Sequence, residues 1–214
     1  MATPHGGGGP GSGAVGAKQI LAPFMPNRHA VKQGETYLFE DAAQTIGSVK
    51  AFYGNFLVTL RALCYMLTLG GEGLREASQT AVLNANYLQE RLRPYCQMAC
   101  EGVCMHEFVM SLADIKQETG VSALDVAKAM LDCGIHPPTM YFPLIVHEAL
   151  MFEPTETESK ETLDFAAEQI IAILQKARTD APALHAAPIT TPISRPDEVT
   201  AARKAKLRYV FDAQ

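Results

Sequence analysis

The residues near the start of the chain that could do chemistry are a histidine and four glycines: His5, Gly6, Gly7, Gly8 and Gly9. Successive backbone N–H groups without side chains can form a concavity that binds an anion. An imidazole beside them can donate a hydrogen bond to a cofactor or stack on it. Glycine-rich runs are also common as flexible linkers. The residues alone therefore leave a cofactor-binding segment and a mobile connector as two open interpretations.

Four polar residues further along are additional candidates for binding. Asn55 follows Gly54 at an expected break in a helix, from which its amide could reach a cofactor. His106 and Glu107 stand at the start of an expected strand, and His136 precedes two prolines; each could contact a substrate carboxylate or a partner. Each could equally be a structural residue whose polar atoms are hydrogen-bonded. The sequence does not decide between these interpretations.

Two phosphate-binding motifs are excluded by their context. Gly11, Gly13 and Gly16 have the spacing of the dinucleotide fingerprint. That fingerprint must follow a strand, and too few ordinary residues precede the glycines here to form one. A Walker A motif also fails, because Lys18 follows Ala17 where glycine is required.

The bulk composition describes a globular chain. It has 214 residues, of which 48% are hydrophobic and 19% charged, with a net charge of −5. The hydrophobic fraction is sufficient to form a core. No cluster of basic residues is present that could bind the phosphates of a nucleic acid. The longest apolar run, residues 56–69, is too short to span a bilayer and contains Arg61. We expect neither nucleic acid nor membrane as a partner, and no signal peptide is visible.

The five cysteines do not predict a metal site. Cys96, Cys100 and Cys104 recur every four residues, but no C-x-x-C pair is present and His106 is the only nearby imidazole. Structural zinc sites normally show tighter ligand pairs. We expect reduced, partly buried thiols and a cytoplasmic protein.

Helical patterns dominate the elements that must position these residues. After forty Gly- and Pro-rich residues with one helical turn near Lys18, a helix is predicted over residues 41–69, with Asp41 as its N-cap. Gly70 closes it. A second helix is predicted over residues 72–92, with apolar residues along one face.

Shorter elements alternate in the rest of the chain. Strands are predicted over residues 95–99, 107–112, 141–146, 150–153 and 207–211. Ser122 followed by Asp125 predicts a capped helix ending before Gly134. A further helix follows residues 155–159, and a short one is expected over 196–206. An Ala/Pro-rich surface segment is expected over residues 180–196. Helices flanking a few strands indicate an α+β fold.

Several blocks of sequence resemble one enzyme family. Residues 4–26 read PHGGGGPGSGAVGAKQILAPFMP, and the further blocks are 48–56 (SVKAFYGNF), 84–88 (NANYL), 106–108 (HEF), 134–144 (GIHPPTMYFPL), 153–160 (EPTETESK) and 194–203 (SRPDEVTAAR). Together they resemble glycine dehydrogenase (decarboxylating), the pyridoxal-phosphate P-protein of the glycine cleavage system. The likeness is greatest to the C-terminal part of subunit 2 of the bacterial two-subunit form.

The resemblance implies a fold and a division of the chain. Residues 72–214 would form the small C-terminal α+β domain of a fold-type-I pyridoxal-phosphate-dependent transferase, as in aspartate aminotransferase. Residues 41–71 would be a linking helix, and residues 1–40 a Gly/Pro-rich active-site segment left from the large domain. In that family the segment lies close to the cofactor, which favours His5, Gly6–Gly9 and Asn55 as cofactor-binding residues.

The resemblance also implies an activity and partners. The family uses pyridoxal 5'-phosphate to decarboxylate glycine and transfers the aminomethyl group to the lipoyl H-protein, an oxidoreductase reaction. P-protein subunit 1 would be a second partner, and an oligomer is expected.

One departure from the family limits what this chain is expected to do alone. The family's Schiff-base lysine stands a few residues before the Pro-His-Gly run, which would place it upstream of Met1. We therefore expect no catalytic residue here, an inactive fragment, and a cofactor that the fragment does not hold. The alternative is a non-catalytic assembly or binding module that pairs with a complementary P-protein chain.

Overall fold

The computed structural model describes residues 11–51, 53–209 and 211. The chain divides into two compact units, Met1–Leu74 and Arg75–Gln214. His5 and Gly6–Gly9 lie outside the described residues. None of the described helices is long and apolar enough to cross a membrane.

The first unit begins with a 3-10 helix and a hairpin. The 3-10 helix spans Gln19–Phe24, close to the helical turn expected near Lys18. Strands β1 (His29–Gln33) and β2 (Thr36–Glu40) pair antiparallel around a two-residue turn. The sequence did not predict this hairpin, because its strands lack the apolar/polar alternation of a strand with one buried face.

The helix predicted from Asp41 is wrong at its start. Helix α1 spans Phe56–Leu92, and the described residues 41–51 and 53–55 are irregular. Gly54 has φ of 77°, and a Cβ there would lie 3.3 Å from Lys50 Cδ. A backbone in that conformation cannot continue a right-handed helix, so the break expected at Gly54 is present and α1 begins after it.

The break predicted at Gly70 is present. Gly70 lies inside α1 with φ of 66° and ψ of −176°, a region that only glycine occupies readily. Two helical stretches therefore meet at this residue, as the predicted helices 41–69 and 72–92 require. Among the described residues 11–51 and 53–74, none is buried.

The second unit contains a four-stranded antiparallel sheet. Its strands are β3 (Gln97–Met98), β4 (Phe108–Ser111), β5 (Thr139–Met140) and β6 (Ala149–Phe152), in the order β3-β4-β6-β5. Phe108 pairs with Phe152, and their rings stack with centroids 5.2 Å apart. The strands predicted over residues 107–112 and 150–153 are confirmed.

Five further helices accompany the sheet: α2 (Ala113–Thr119), α3 (Ala123–Asp132), α4 (Lys160–Thr179), α5 (Ala181–Ala186) and α6 (Glu198–Arg203). The predicted capping box of Ser122 and Asp125 begins α3. Ser159 caps α4, whose buried face packs in the core with the second half of α1. The core is centred on fully buried apolar residues, including Leu92, Met110, Leu112, Met130, Leu150, Ile170 and Leu174.

Two predicted strands are wrong. Residues 141–148 form turns rather than a strand, because Tyr141 and Glu148 have φ of 56° and 50° and Pro143 has no N–H for a ladder. Residues 207–209 and 211, the described part of the predicted terminal strand, have no strand partner.

Helices α2 and α5 were not predicted. Helix α5 begins at a proline-containing turn capped by Asp180, and it buries Leu184 within the segment expected to lie on the surface. Both helices are too short for a periodic pattern to be recognised in the sequence.

Candidate functional site

The second unit contains a cavity of about 500 Å³. Its walls are residues 134–139 from the end of α3 to the start of β5, residues 151–155 at the end of β6, and the first half of α4. Leu88 of α1 closes it from the core side. Cavities of this size commonly hold small organic ligands, which makes this one the candidate site.

His136 is placed in the cavity wall by the end of α3 and the start of β5. The Ile135 N–H donates to Met130 O at 3.0 Å, which turns the chain out of α3. Three residues after His136, Thr139 pairs with Met151 in the sheet. His136 lies on the short stretch between these two anchors and lines the cavity.

The opposite wall is a loop held from behind by Asn84. This buried amide donates from Nδ2 to Thr155 O at 2.8 Å and to Glu158 O at 3.0 Å. Thr155 has φ of 53°, an uncommon conformation for a β-branched residue. Sequence reasoning missed Asn84 as a positioning residue, since its partners lie more than 70 residues away; the NANYL block was the available signal.

The structure brings His106 and Glu107 to the edge of the same site. His106 Nε2 lies 3.8 Å from Glu153 Oε1 and 3.9 Å from Glu107 Oε2. Glu153 in turn lines the cavity with His136. All three side chains of the pairs are about half exposed, so the pairs contribute little to stability. The three candidate residues for substrate or partner contact thus share one region.

Asn55 lies in the first unit. Its Nδ2 donates to Gly11 O at 2.6 Å, and Thr59 N–H donates to Asn55 O at 3.1 Å. The amide is exposed and holds the end of the glycine-rich segment. The cofactor role predicted for Asn55, and for His5 and Gly6–Gly9, stays a prediction.

A charge cluster that was not predicted joins α1 to α4. Asp164 accepts hydrogen bonds from Tyr87, Arg91 and Lys160, the last at 2.6 Å. Arg91 and Lys160 also lie over the Tyr87 ring, at 5.9 and 5.4 Å from its centroid. The hydrogen bond from Lys160, followed by that from Tyr87, lowers the pKa of Asp164 to about 2.

A second cluster fastens the segment after α5 to α3. Arg195 Nη1 lies 2.7 Å from Asp125 Oδ1, while its Nε donates to Ala187 O at 2.7 Å and its Nη2 to Leu184 O at 3.1 Å. Burial raises the pKa of Asp125, but hydrogen bonds from Ser122 and Arg195 outweigh it and hold the pKa below its ordinary value. This arrangement is structural, because the Arg195 guanidinium and the Asp125 carboxylate pair with each other within the fold.

The cysteines do not converge on a metal. Within the described residues, no three histidine, cysteine or acidic side chains are placed to hold a metal ion. All five cysteines are free. Burial raises the pKa of Cys96 to about 12, so its thiol is protonated and unreactive.

Comparison with known proteins assigns this fold to a family. Residues 77–187, about half of the chain, match the family model described as glycine dehydrogenase, C-terminal domain. The chain belongs to this family. The resemblance found in the sequence is therefore confirmed.

The similar curated proteins agree on one description. A "Probable glycine dehydrogenase (decarboxylating) subunit 2" from Treponema denticola is 57% identical over 98% of this chain. Proteins described in the same words from Desulforamulus reducens and Thermotoga maritima are 55% and 50% identical over 94% and 98% of the chain. The chain spans 44%, 42% and 44% of the lengths of these three relatives.

A solved structure supports the fold. The glycine decarboxylase (P-protein) of the glycine cleavage system, in inhibitor-bound form, superposes with a TM-score of 0.58 over 72% of this chain and 37% of its own. The identity is 19%, so the likeness shows the fold alone. The predicted small C-terminal α+β domain of the fold-type-I class is confirmed.

Proposed function

We propose that the chain is the C-terminal part of a pyridoxal-phosphate-dependent glycine decarboxylase, an oxidoreductase of the glycine cleavage system. The observation that carries the proposal is the 57% identity, over 98% of the chain, to a glycine dehydrogenase (decarboxylating) subunit 2. Its partners would be the lipoyl H-protein and P-protein subunit 1, its substrate glycine, and its location the cytoplasm. An oligomer is the expected assembly.

Pyridoxal phosphate, when bound, supplies an electron sink for loss of carbon dioxide from glycine. The described residues do not by themselves fit this group. No described lysine is buried, and the exposed Asn55 amide is already committed to Gly11 O. A cofactor lysine is normally activated by desolvation or a neighbouring cation. We therefore expect that the described residues of this chain do not hold the cofactor by themselves.

The chain's own contribution would be a shaped wall for the substrate or a partner. His106 and Glu107 lie beside Glu153, and His136 lines the cavity with Glu153. An imidazole can donate to a substrate carboxylate, and an exposed carboxylate can accept from a partner's amide or ammonium group. Asn84 would keep the loop that carries Glu153 and Glu158 in one shape.

Reconstitution tests the proposal. The 214-residue chain alone is expected to release no carbon dioxide from labelled glycine, and borohydride reduction with pyridoxal phosphate should label no unique lysine stoichiometrically. Adding a polypeptide that matches the remaining part of a relative's subunit 2, with subunit 1, H-protein and cofactor, should restore release. A full-length relative serves as the positive control. Failure of every assembly while that control is active would contradict the proposed function.

A second candidate is a non-catalytic assembly module. The observation that favours it is the lack of any buried residue among the described residues 11–51 and 53–74, which leaves apolar side chains for a partner. If the chain binds its complementary polypeptide tightly but the complex never releases carbon dioxide beside an active control, this second function replaces the first.

A further inference from the structure

The cavity of the second unit combines apolar walls with charge of one sign. Ile135, Pro137 and Pro138 form its partly exposed apolar lining, and Phe152, Leu163 and Ile170, each at most 7% exposed, form its floor. Phe165 of α4 also lines it and is 48% exposed, so an aromatic ring stands at the open side. An apolar body that entered the cavity would cover this ring and gain the free energy of removing both surfaces from water.

The charged groups of the lining are carboxylates. Glu153 and Glu158 line the cavity, and its described lining contains no lysine or arginine. Lys160 of α4 and Arg91 of α1 are already paired, because Lys160 Nζ lies 2.6 Å from Asp164 Oδ2 and Arg91 is bound to the same carboxylate. Two imidazoles lie near the carboxylates: His136 lines the cavity, and His106 Nε2 at its edge is 3.8 Å from Glu153 Oε1. The cavity therefore favours a positively charged ligand.

The carboxylate wall is held in place before any ligand arrives. Asn84 donates to the carbonyl oxygens of both Thr155 and Glu158. Thr155 Oγ1 and Thr157 Oγ1 are 2.9 Å apart across the same turn. A site whose wall is already ordered loses less conformational entropy on binding, which raises affinity without further contacts.

From this combination we propose that the cavity binds a small organic cation, an apolar ring system carrying one ammonium group. The ring lies between Ile135 and Phe165, over the floor of the cavity, and the ammonium group faces Glu153 and Glu158. A volume of about 500 Å³ accommodates a ligand of that size. Glycine, which has no apolar body, is not this ligand. The inference does not depend on the decarboxylase function.

Three indoles of different charge test the proposal: tryptamine, tryptophol and indole-3-acetate. The chain contains no tryptophan, so the anisotropy of indole fluorescence reports the ligand alone. Tryptamine is expected to bind about fivefold more tightly than tryptophol, as attraction to partly exposed carboxylates allows. Indole-3-acetate should bind most weakly. Equal affinity for the three probes, or no binding by folded protein, would overturn the proposal.

Variants assign the effect to the cavity. Glu153→Gln combined with Glu158→Gln should reduce the preference for tryptamine over tryptophol to less than about twofold while leaving tryptophol binding unchanged. Phe165→Ala should weaken all three probes and keep their order. Glu168→Gln on the exposed side of α4 is the matched control and should change nothing. Circular dichroism confirms that each variant is folded. A preference for tryptamine that persists in the double variant would also overturn the proposal.

Discussion

At the scale of single residues, Asn84 is the buried side chain that holds the loop forming one wall of the cavity. It is buried on α1 and its amide reaches two carbonyl oxygens of the loop after β6. Neither carbonyl belongs to a helix or strand, so both depend on this side chain for a donor within the fold. The amide links the second half of α1 to a wall of the cavity.

Replacing Asn84 should therefore destabilise the second unit. Asn84→Ala removes two hydrogen bonds and leaves a buried gap, and we expect a loss of about 1–3 kcal/mol in the free energy of unfolding. Urea denaturation followed by circular dichroism measures it. Glu168→Ala, on an exposed helical position, should stay within about 0.5 kcal/mol of wild type. An equal effect of both variants would show that Asn84 does not hold the loop.

Asp164 should make stability depend on pH in the acid range. Its pKa is lowered from 3.8 to about 2 by hydrogen bonds from Lys160 and Tyr87. A carboxyl whose pKa is lower in the folded state contributes stability above its unfolded pKa. That contribution is lost as the pH falls through the folded pKa.

Asp164→Asn tests this dependence. The stability difference between wild type and the variant should be complete above about pH 4 and shrink as the pH approaches 2. Urea titrations at several pH values measure that difference, and Glu168→Gln controls for the loss of a carboxylate from α4. A difference that stays constant from pH 5 to pH 2 would exclude a lowered pKa at Asp164.

At the scale of elements, Arg195 fixes the segment after α5 against the start of α3. Its guanidinium reaches the Asp125 carboxylate, which is 6% exposed, and two backbone carbonyls near the end of α5. Arg195→Leu removes the ion pair of the buried Asp125 carboxylate, which keeps its hydrogen bonds from Ser122. We expect a loss of about 3 kcal/mol, the lower end for a broken buried pair, since Arg195 itself is partly exposed.

The same variant should also change local order. Limited proteolysis is expected to cut after residue 187 faster in Arg195→Leu than in wild type, while the core of α4 stays protected. Arg178→Leu is the matched control, because its pair with Glu118 is exposed on both sides and worth little. Equal cleavage and equal stability in the two variants would show that Arg195 does not hold this segment against α3.

Elements with local signals were the ones that sequence reasoning could find. The capping box of Ser122 and Asp125 spans four residues, and the break at Gly70 depends on one residue, so both were predicted. The helix start predicted at Asp41 was wrong, because a residue that favours the N-cap position begins a helix only if the following residues can continue it. The partners of Asn84, and the partners Tyr87 and Arg91 of Asp164, lie more than 70 residues away, and nothing in a local pattern encodes such contacts. His106, Glu107 and His136 were chosen by type and family resemblance, and only the fold shows their shared region.

At the scale of the whole molecule, the two units differ in how completely they bury themselves. The second unit has a continuous apolar core, whereas the described residues 11–51 and 53–74 contribute none to a core. Phe56, Leu57 and Leu67 of α1 are exposed by 65%, 71% and 74%. Contiguous apolar surface of this kind usually marks an interface or an aggregation liability.

The first half of α1 should therefore drive self-association of the isolated chain. A few hundred Å² of apolar surface removed from water contributes several kcal/mol, at roughly 25 cal/mol per Å². Leu60→Asp with Leu67→Asp should weaken the oligomer in sedimentation velocity while the second unit stays folded. Glu72→Lys with Glu76→Lys, nearby polar positions of the same helix, controls for altered charge. A stable monomer of the unaltered chain at micromolar concentration would contradict this prediction.

The five free cysteines differ in exposure, so the rates at which they react report on opening of the structure. Cys64 and Cys100 are exposed, whereas burial raises the pKa of Cys96 to about 12 and also raises the pKa of Cys104 and Cys133. The exposed sulfurs of Cys64 and Cys100 should be modified first. Cys96 is only partly exposed beside β3, so the rate at which it follows reports on local opening around that strand. A colourimetric thiol assay on the unlabelled wild-type chain could thus time, without any engineered probe, how a bound ligand or partner slows that opening.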